Sequence, residues 1–574
     1  MVVRKMEKED KLLEIKGLSV DFVVEKKTRR AVHSLSYTLH RGATLGIVGE
    51  SGSGKSVSSL AIMGLLPNNG SIAEGEILFY DNQQVVDLAH LPEHEMRKYR
   101  GRRISMIFQE PMTSLNPVQR CGDQVVEMLL LHHPMGKEDA RNRVIELFEE
   151  VMLPRPEKIF ESYPHEISGG QKQRVMIAMA LICEPDILIA DEPTTALDVT
   201  VQKTILQLLR QLQQRRQIGI IFISHDLGVV AQVADEVAVM YQGHLVEQGA
   251  AIDVLTHPRE PYTQGLLACR PPIDTRPMHL PTVTDFLENK TIETTEQPSF
   301  DFEQAVPLLS VRDLDVEYVL KKNIFGKPIE TLKGVDGISF DVYRGETFGL
   351  VGESGCGKTT LGRTILRLLD SASGTIIYDG KRLDELSSHQ MRALRPKMQI
   401  VFQDPYSSLN PRITIGNAIL EPLQNYGMFH NDKERKARVL ELMEQVGLQA
   451  DWYNRYPHEF SGGQRQRVCI ARALVLEPEL VICDESVSAL DVSVQAQVLN
   501  LLNDLKRQFH YTYIFISHDL SVVRFLSDRI LVMEKGKKVE LGKADDIYFH
   551  PQHPYTKKLI EAIPMIPTQS ATTV

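Results

Sequence analysis

Cysteine is scarce in this 574-residue chain and shows no pairing pattern. No two cysteines form a C-x-x-C pair, and several fall inside apolar stretches: Cys121, Cys183, Cys269, Cys356, Cys469 and Cys483. Structural zinc sites and redox centres use closely spaced cysteines, so the pattern argues against both. We expect buried thiols that act as small hydrophobic side chains, and no disulfides.

The chain also lacks a long hydrophobic run and an excess of positive charge. No apolar stretch approaches the roughly 18–20 residues needed to cross a bilayer. The first ten residues, MVVRKMEKED, lack the apolar stretch of a signal peptide. The net charge of -10 at pH 7 gives no general attraction to nucleic acid. Composition therefore predicts a soluble cytosolic protein.

One glycine-rich segment occurs twice. Residues 49–56 read GESGSGKS and residues 352–359 read GESGCGKT, and both match the phosphate-binding loop (P-loop) pattern G-x-x-x-x-G-K-[ST]. In this pattern backbone amides surround the phosphates, the lysine reaches the outer phosphates, and the hydroxyl is placed to bind Mg²⁺. Two copies predict two nucleoside triphosphate sites. Their candidate residues are Gly49, Ser51, Gly52, Gly54, Lys55, Ser56, Gly352, Ser354, Gly355, Gly357, Lys358 and Thr359.

The duplication extends well beyond the P-loops. Equivalent residues keep one constant spacing from the middle of each copy to its end, as in the pairs Ser168/Ser461, Glu192/Glu485, His225/His518 and His257/His550. We predict two homologous domains, 1–270 and 307–574, joined by a linker at 271–306. The linker is interrupted by prolines and rich in Thr and Glu, a composition that predicts an extended or mobile segment.

The surroundings of the P-loops predict an α/β fold. The short apolar runs Thr44–Val48 and Thr347–Val351 suit central strands covered on both faces. Helices that begin at Lys55 and Lys358 would point their N-termini at the phosphates. Further apolar runs alternate with helical stretches, which predicts a mainly parallel sheet in each domain. These runs are 187–190, 220–223, 480–483 and 513–516.

In each half one apolar strand ends in two carboxylates, Asp191-Glu192 and Asp484-Glu485. The aspartate is suited to holding Mg²⁺ through its water shell, and the glutamate to orienting or deprotonating an attacking water. An isolated Asp-Glu pair would most simply begin a solvated loop. Recurrence of the pair at one spacing behind each P-loop favours the chemical role.

Two further repeated motifs complete each predicted site. His225 and His518 follow strand ends at the edge of the sheet where α/β proteins bind ligands, and we predict that they sense the γ-phosphate. The motif SGGQ, which begins at Ser168 and Ser461, places a hydroxyl and bare amides at a helix start, another anion-binding end. We therefore predict a head-to-tail sandwich in which each nucleotide lies between one half's P-loop and the other half's SGGQ signature.

The complete set of motifs resembles the nucleotide-binding domains of ABC ATPases and covers nearly the whole chain. The resemblance implies two P-loop domains in tandem, each with a helical subdomain, that hydrolyse ATP with Mg²⁺. The adenine-stacking aromatic of the family matches Phe22 and Tyr318, although either residue could instead be an ordinary strand aromatic. The implied roles are catalytic for Glu192, Glu485, His225 and His518; Mg²⁺-binding for Ser56, Gln109, Asp191, Thr359, Gln403 and Asp484; signature contacts to ATP for Ser168, Gly170, Ser461 and Gly463; adenine stacking for Phe22 and Tyr318; and D-loops starting at Ala196 and Ala489.

Several longer sequence motifs are similar to those of the dipeptide/oligopeptide/nickel importer branch of this family. They are the Q-loop strings at 108–117 and 402–411 and the H-P-x-x-P-Y-T tails at 257–263 and 550–556. We interpret the proline-bracketed aromatic turn of each tail as scaffold. Some members of the branch carry a cysteine-rich extension for an iron–sulfur cluster. Only Cys269 follows Tyr262 in the first half and no cysteine follows Tyr555, so we predict no metal beyond Mg²⁺.

The fused arrangement resembles the tandem ATPase subunits of importers for glutathione or microcin C. It implies a peripheral motor on the cytoplasmic face of the plasma (inner) membrane, docked on two permease subunits and served by an extracytoplasmic substrate-binding protein, with no nucleic acid. The expected activity is ATP-driven import of short peptides or peptide-like compounds, although the sequence leaves peptide, peptide-like antibiotic and nickel chelate open as the exact cargo. One alternative, a tandem ATPase factor acting on ribosomes or DNA, is disfavoured by the short acidic linker and the missing C-x-x-C. A sugar importer ATPase is disfavoured by the Q-loop and tail strings.

Overall fold

The computed structural model describes residues 10–81, 84–109, 114–195, 197–291, 295–322, 325, 328–488, 490–564 and 566. The strands of the first half are β1 (Lys11–Val24), β2 (Lys27–His40), β3 (Thr44–Val48), β4 (Gly70–Asp81), β5 (Gln84–Asp87), β6 (Ile104–Ile107), β7 (Ile187–Asp191), β8 (Gly219–Ser224), β9 (Glu236–Tyr241) and β10 (His244–Ala250). Its α-helices and that of the linker are α1 (Lys55–Ile62), α2 (Glu93–Met96), α3 (Cys121–His132), α4 (Lys137–Glu150), α5 (Pro156–Glu161), α6 (Gly169–Leu181), α7 (Val199–Arg216), α8 (Leu227–Val233), α9 (Ala251–Thr256), α10 (Pro261–Ala268) and α11 (Val283–Leu287).

The second half repeats this order. Its strands are β11 (Pro307–Lys322), β12 (Pro328–Tyr343), β13 (Thr347–Val351), β14 (Ser373–Tyr378), β15 (Lys381–Arg382), β16 (Met398–Val401), β17 (Leu480–Asp484), β18 (Thr512–Ser517), β19 (Arg529–Glu534) and β20 (Lys537–Lys543). Its α-helices are α12 (Lys358–Ile365), α13 (Ser388–Leu394), α14 (Pro405–Ser408), α15 (Ile415–Asn425), α16 (Asp432–Gln445), α17 (Gly462–Leu474), α18 (Val492–Phe509), α19 (Leu520–Leu526), α20 (Ala544–Phe549) and α21 (Pro554–Glu561).

Each half is built on a six-stranded sheet. The strand order is β10-β9-β3-β8-β7-β6 in the first half and β16-β17-β18-β13-β19-β20 in the second. Neighbouring strands are parallel except in the hairpins β9–β10 and β19–β20. The predicted α/β class with a mainly parallel sheet is therefore confirmed. A second sheet in each half, β2-β1-β4-β5 or β12-β11-β14-β15, is antiparallel and was not predicted.

The P-loop of each half connects a buried central strand to a helix. Every residue of β3 and of β13 is buried, as expected for short apolar strands with helices or a second sheet on both faces. The helices after them begin at Lys55 and Lys358, as predicted. The parallel sheet thus delivers both P-loops to its carboxyl edge, where α/β folds bind ligands.

A group of helices separates β6 from β7 in the first half, and its counterpart separates β16 from β17 in the second. In α3 the buried side chains Cys121, Val125 and Leu129 recur every four residues, which places them on one face of the helix. Gly122 lets that face approach the ring of Phe160 in α5, where an added Cβ would lie 2.2 Å from ring carbons. These helices form the helical subdomain that the family resemblance implied.

The predicted linker contacts both halves. The Arg276 guanidinium donates to the carbonyl oxygen of Ser527 at 2.8 Å, just beyond the C-terminus of α19, where cations are favoured. Leu280 and the Asn500 side chain of α18 exchange two hydrogen bonds of 2.7 and 2.8 Å. Among its described residues the linker forms one short helix, α11, whose Val283 and Phe286 pack beside Gly265 of α10 in the first half, while the contacts of Arg276 and Leu280 dock it on the second half. Residues 292–294 lie outside the described part of the linker.

All six cysteines are buried and unpaired by disulfides, which confirms the expectation of buried thiols. Burial raises the pKa of Cys121 and of Cys183 to about 11, so neither thiol ionises at neutral pH. In the described part of the chain, no helix combines the length and apolar character that a bilayer crossing requires.

Candidate nucleotide-binding and hydrolysis sites

The two P-loops close around glycines in left-handed backbone conformations. Gly54 and Gly357, the N-caps of α1 and α12, have φ of 96° and 104°, a region that strains other residues. An added Cβ at Gly54 would lie 2.9 Å from the carbonyl oxygen of Ala31, and one at Gly357 would lie 2.1 Å from that of Gly334. Each loop is therefore packed against its neighbouring antiparallel strand and can form only with glycine at this position.

The P-loop lysines are buried and face into their own loops. Lys55 Nζ donates to the carbonyl oxygens of Gly49 at 2.7 Å and of Glu50 at 2.8 Å. Lys358 makes the equivalent bonds to Gly352 and Glu353 at 2.6 and 3.1 Å. Burial lowers the pKa of Lys55, although nearby carboxylates oppose the shift. A phosphate oxygen bound in either loop would replace the neutral carbonyl oxygens as the partner of the lysine ammonium. This replacement is favourable because the ammonium is poorly hydrated and binds an anion more strongly than a neutral acceptor.

Beside each lysine a hydroxyl meets a buried carboxylate. Ser56 Oγ donates to Asp191 Oδ1 at 3.1 Å, and Thr359 Oγ1 donates to Asp484 Oδ1 at 2.8 Å. Burial raises the pKa of Asp191 to about 6 and also raises that of Asp484. Asp484 Oδ2 is buried and accepts no hydrogen bond from the described residues. A hydroxyl and a carboxylate with a spare oxygen fit the ligand preferences of Mg²⁺, which would also relieve the cost of burying the charge.

The next residue in each half is a glutamate paired with a histidine. Glu192 Oε2 lies 3.3 Å from His225 Nδ1, and Glu485 Oε2 lies 3.7 Å from His518 Nδ1. At these distances the pairs are ionic contacts rather than well-aligned hydrogen bonds. Burial alone would raise the pKa of Glu192, but His225 beside it holds the pKa at about 2. The glutamate is thus ionised at neutral pH, as a water-orienting base requires.

The backbone of both glutamates is in an uncommon conformation. Glu192 and Glu485 each have φ of 47°, in the left-handed region that residues with a side chain seldom adopt. Such a conformation costs about 1–3 kcal/mol and concentrates at functional sites. The surrounding sheet holds it: each glutamate N–H donates at 3.0 Å to a carbonyl of the adjacent strand, that of Ile223 or Ile516. Both carboxylates are thereby aimed at the P-loop side of the sheet edge.

The predicted Q-loop glutamines are placed differently in the two halves. Gln403 Nε2 donates to Glu485 Oε2 at 2.9 Å, so it contacts the glutamate of its own half. Gln109 is exposed at the end of β6. The string that follows Gln109, residues 110–113, lies outside the described residues. The Mg²⁺-binding role of both glutamines stays a prediction.

A cavity of about 580 Å³ opens beside Lys358. Its described lining belongs to the second half and includes Tyr318, Gln403 and Glu485. The Tyr318 ring covers Gly334, and its hydroxyl lies 2.9 Å from Thr360 Oγ1. The predicted adenine-stacking residue therefore lines the same cavity as the P-loop. Ser168 is not among the described residues that line it.

The corresponding aromatic of the first half, Phe22, is placed against scaffold. Its ring covers Gly70, where an added Cβ would lie 2.8 Å from the ring, and it packs on the hydrophobic core of the first half. The adenine-stacking role of Phe22 stays a prediction, with the ordinary strand aromatic as its alternative.

The signature serines cap their helices. Ser168 and Ser461 are the N-caps of α6 and α17, and each forms a reciprocal capping box with the glutamine three residues later. Both serines are exposed. Gly170 and Gly463 follow in the first turn, where an added Cβ would meet Val201 or Val494 of the neighbouring helix. The predicted pairing of each signature with the opposite P-loop remains a prediction.

The loop and helix start after each Asp-Glu pair contact the P-loop of the other half. Asp491, which precedes α18, accepts hydrogen bonds from Ser51 N at 3.0 Å and Ser51 Oγ at 3.1 Å. Asp198, which precedes α7, accepts from Ser354 N at 2.6 Å. Both aspartates stand at helix N-caps but bind the other half instead of their own helix. The two halves therefore face each other head to tail.

A second layer of contacts between the halves runs through the P-loop glutamates. Thr200 Oγ1 donates to Glu353 Oε1 at 2.7 Å, and Ser493 Oγ makes the equivalent bond to Glu50 Oε1. The first residue of each predicted D-loop, Ala196 or Ala489, lies outside the described residues.

The main omission from the predicted site is a tyrosine in each tail. Tyr262 and Tyr555, from the repeated H-P-x-x-P-Y-T motif, direct their hydroxyls at the P-loop backbone. The sequence contained the signal, because the motif recurs at the same spacing in both halves. Its proline-bracketed form favours a scaffold role, and the contact itself depends on tertiary packing.

The chain is similar to known proteins over most of its length. The ABC transporter family model matches residues 32–195 and 335–488, and the oligopeptide/dipeptide transporter C-terminal region matches residues 246–290 and 539–573. The glutathione import ATP-binding protein GsiA of Escherichia coli O6:H1 is 47% identical over 96% of this chain and 90% of its own length. GsiA of Salmonella paratyphi A shows the same identity and coverage. A solved dimeric ATP-binding cassette with ADP and Pi covers 41% of this chain and 98% of its own, at 27% identity and a TM-score of 0.38.

Proposed function

The chain belongs to the ABC transporter family as a tandem ATP-binding ATPase subunit, and from that premise we propose that it drives the import of short peptides or peptide-like compounds. The observation that carries the ATPase assignment is the duplication of one chemical set, a P-loop lysine, a hydroxyl–aspartate pair and a glutamate–histidine pair. The importer assignment is supported by two tails that match the oligopeptide/dipeptide region and by relatives named for glutathione import.

Each residue of the set has a distinct task in the proposed reaction. The ammonium of Lys55 or Lys358 binds the outer phosphates after leaving the loop carbonyls. Ser56 with Asp191, and Thr359 with Asp484, would hold Mg²⁺, which when bound neutralises charge on the β- and γ-phosphate oxygens.

The glutamates and histidines act on the attacking water in this proposal. Glu192 or Glu485 orients a water for in-line attack on the γ-phosphorus and accepts the proton of that water, while the bond from the γ-phosphorus to the β–γ bridging oxygen breaks and ADP leaves. His225 or His518 holds that carboxylate in place. Burial alone would lower the pKa of each histidine, but the adjacent glutamate raises it. The protonated pair therefore stabilises the folded site below the ordinary histidine pKa, and this stabilisation is lost as pH rises through the folded-state pKa.

We further propose that ATP drives closure of the two halves and that hydrolysis reopens them. The contacts of Asp198 and Asp491 with the opposite P-loops support this step, because a nucleotide in either loop changes a surface shared with the other half. The Q-loops then relay the movement to membrane partners.

The importer family implies permease partners in the membrane. We propose that there are two, that an extracytoplasmic binding protein supplies the cargo, and that the chain sits peripherally on the cytoplasmic face of the inner membrane. Among the cargo classes, a small peptide such as glutathione has the most support, because both quoted relatives are named for glutathione import. Loss of uptake of a peptide-like antibiotic or a nickel chelate, with peptide uptake unchanged, would assign the chain to one of those cargo classes instead.

Deletion of the gene is expected to abolish energy-dependent uptake of radiolabelled glutathione or di- and tripeptides and to leave sugar uptake and translation intact. Wild-type chain should restore uptake, and a chain carrying both Glu192→Gln and Glu485→Gln should not. In cells without the permeases, the chain should leave the membrane fraction. Normal peptide uptake together with a translation defect would overturn the importer in favour of a ribosome-acting ATPase factor.

A further inference from the structure

The tail of each half ends against the P-loop of the same half. Tyr262 Oη accepts a hydrogen bond from Glu50 N at 3.0 Å, and Tyr555 Oη accepts one from Glu353 N at 2.9 Å. Both tyrosines are buried, with 2% and 7% of their surface exposed. Burial raises the pKa of both phenols, so each stays neutral and available as an acceptor. The bonded amide belongs to the second residue of the P-loop motif in both halves.

The proline-bracketed turn fixes the position of each tyrosine. Pro261 and Pro554 occupy the first positions of α10 and α21, where proline is pre-organised for a helix. In the first half the Glu247 carboxylate of β10 accepts from the backbone N–H groups of Arg259 and Glu260 at 2.8 and 3.3 Å.

The second half anchors its turn in the same way. Glu540 of β20 accepts from Gln552 N at 2.9 Å and His553 N at 3.2 Å. In each half the turn is therefore tied to the hairpin that borders the P-loop strand. In both halves this construction places the tyrosine hydroxyl at the backbone amide of the P-loop glutamate.

The amide held by each tyrosine belongs to a residue that also faces the other half. The Glu353 side chain accepts from Thr200 of the first half at 2.7 Å, and the Glu50 side chain accepts from Ser493 of the second half. The following residues, Ser51 and Ser354, bind the aspartates of the opposite half. The tyrosines thus hold the part of each P-loop on which the two halves meet.

We propose that Tyr262 and Tyr555 are positioning residues that hold the P-loops in the shape that binds nucleotide and meets the other half. The proposal rests on the ATPase function proposed above. Without the hydroxyl, a partly buried N–H at the start of the loop loses its partner, and loop shapes that expose it to water become favoured. Nucleotide affinity should fall, whereas turnover of a filled site should change little, because neither tyrosine touches the hydrolytic glutamate.

The test is Tyr555→Phe in the full chain carrying Lys55→Ala, so that nucleotide binding reports the second P-loop. The control is Tyr548→Phe, a buried tyrosine of the same tail whose hydroxyl has no hydrogen-bond partner among the described residues. Both changes remove one buried hydroxyl and keep the ring. Affinity for MgATP and for a non-hydrolysable analogue is measured together with KM, kcat and Tm.

Tyr555→Phe should weaken ATP binding and raise KM by about tenfold, with kcat at saturating ATP within about twofold of its parent. Tyr548→Phe should bind like the parent. Equal affinity of the two variants would overturn the positioning role. Failure of the parent itself to bind ATP would instead overturn the proposed function. Tyr262→Phe in a Lys358→Ala chain gives an independent second measurement at the first P-loop.

Discussion

Glu485→Gln is expected to slow ATP hydrolysis at the second site by about 10²–10⁴-fold, the usual contribution of a general base, with ATP binding retained. The substitution keeps the shape of the side chain but removes the charge that accepts a proton. Thr359, Asp484 and Lys358 keep their places, so the ligands for phosphate and Mg²⁺ remain. Glu192→Gln should act in the same way at the first site.

Glu477→Gln is a suitable control for this prediction. Glu477 has a similar left-handed backbone, with φ of 53° against 47° at Glu485, but its side chain is 60% exposed and pairs with Arg438 on the surface. A general effect of changing a glutamate in this conformation would appear in both variants. Single-turnover hydrolysis at saturating MgATP measures the chemical step. Near wild-type rates in Glu485→Gln would mean that Glu485 is not the base or that the second site is idle.

Lys358→Ala should weaken triphosphate binding at the second site by about 10–100-fold, and Lys55→Ala should do the same at the first. A hydrogen bond to a charged group contributes about 1.5–3 kcal/mol, and each lysine is buried in its loop, where a phosphate has little competition from water. Removal of Lys358 also takes away a cation 3.8 Å from Glu485. Direct titration with MgATP measures the loss, with the exposed Lys158→Ala as control. Unchanged affinity would show that the lysine does not reach the phosphates.

The elements nearest the P-loops were predictable because their patterns are local. The strands Thr44–Val48 and Thr347–Val351 follow from short apolar runs, and the helix starts at Lys55 and Lys358 follow from the glycine-rich P-loop pattern. The antiparallel sheet of each half was missed, because its long strands are bulged and only partly alternate between buried and exposed residues.

Contacts that depend on tertiary packing were not predictable. The hydroxyl of Tyr262 meets Glu50 only because the tail folds back against the β9–β10 hairpin, and the motif alone does not indicate which surface its aromatic ring covers. The linker composition predicts extended chain but not its partners, since Asn500 and the Ser527 carbonyl become available only on the folded second half. The positive φ of Glu192 and Glu485 likewise arises from the strand beside them rather than from their own preference.

The central claim is that each nucleotide is shared between the P-loop of one half and the signature of the other. The aspartate contacts between the halves establish that they meet head to tail at the P-loops. The claim adds that each signature serine contacts the nucleotide held by the opposite P-loop. Groups that share one ligand couple energetically, by about 0.5–3 kcal/mol, whereas distant groups act additively.

A double-mutant cycle on MgATP affinity tests this claim most directly. With affinity measured separately at each P-loop, Lys55→Ala should couple with Ser461→Ala at the first P-loop and act additively with Ser168→Ala. At the second P-loop, Lys358→Ala should couple with Ser168→Ala. Coupling of Lys55 with Ser168 instead, and additivity with Ser461, would mean that each half forms a self-contained site and would contradict closure by shared nucleotides.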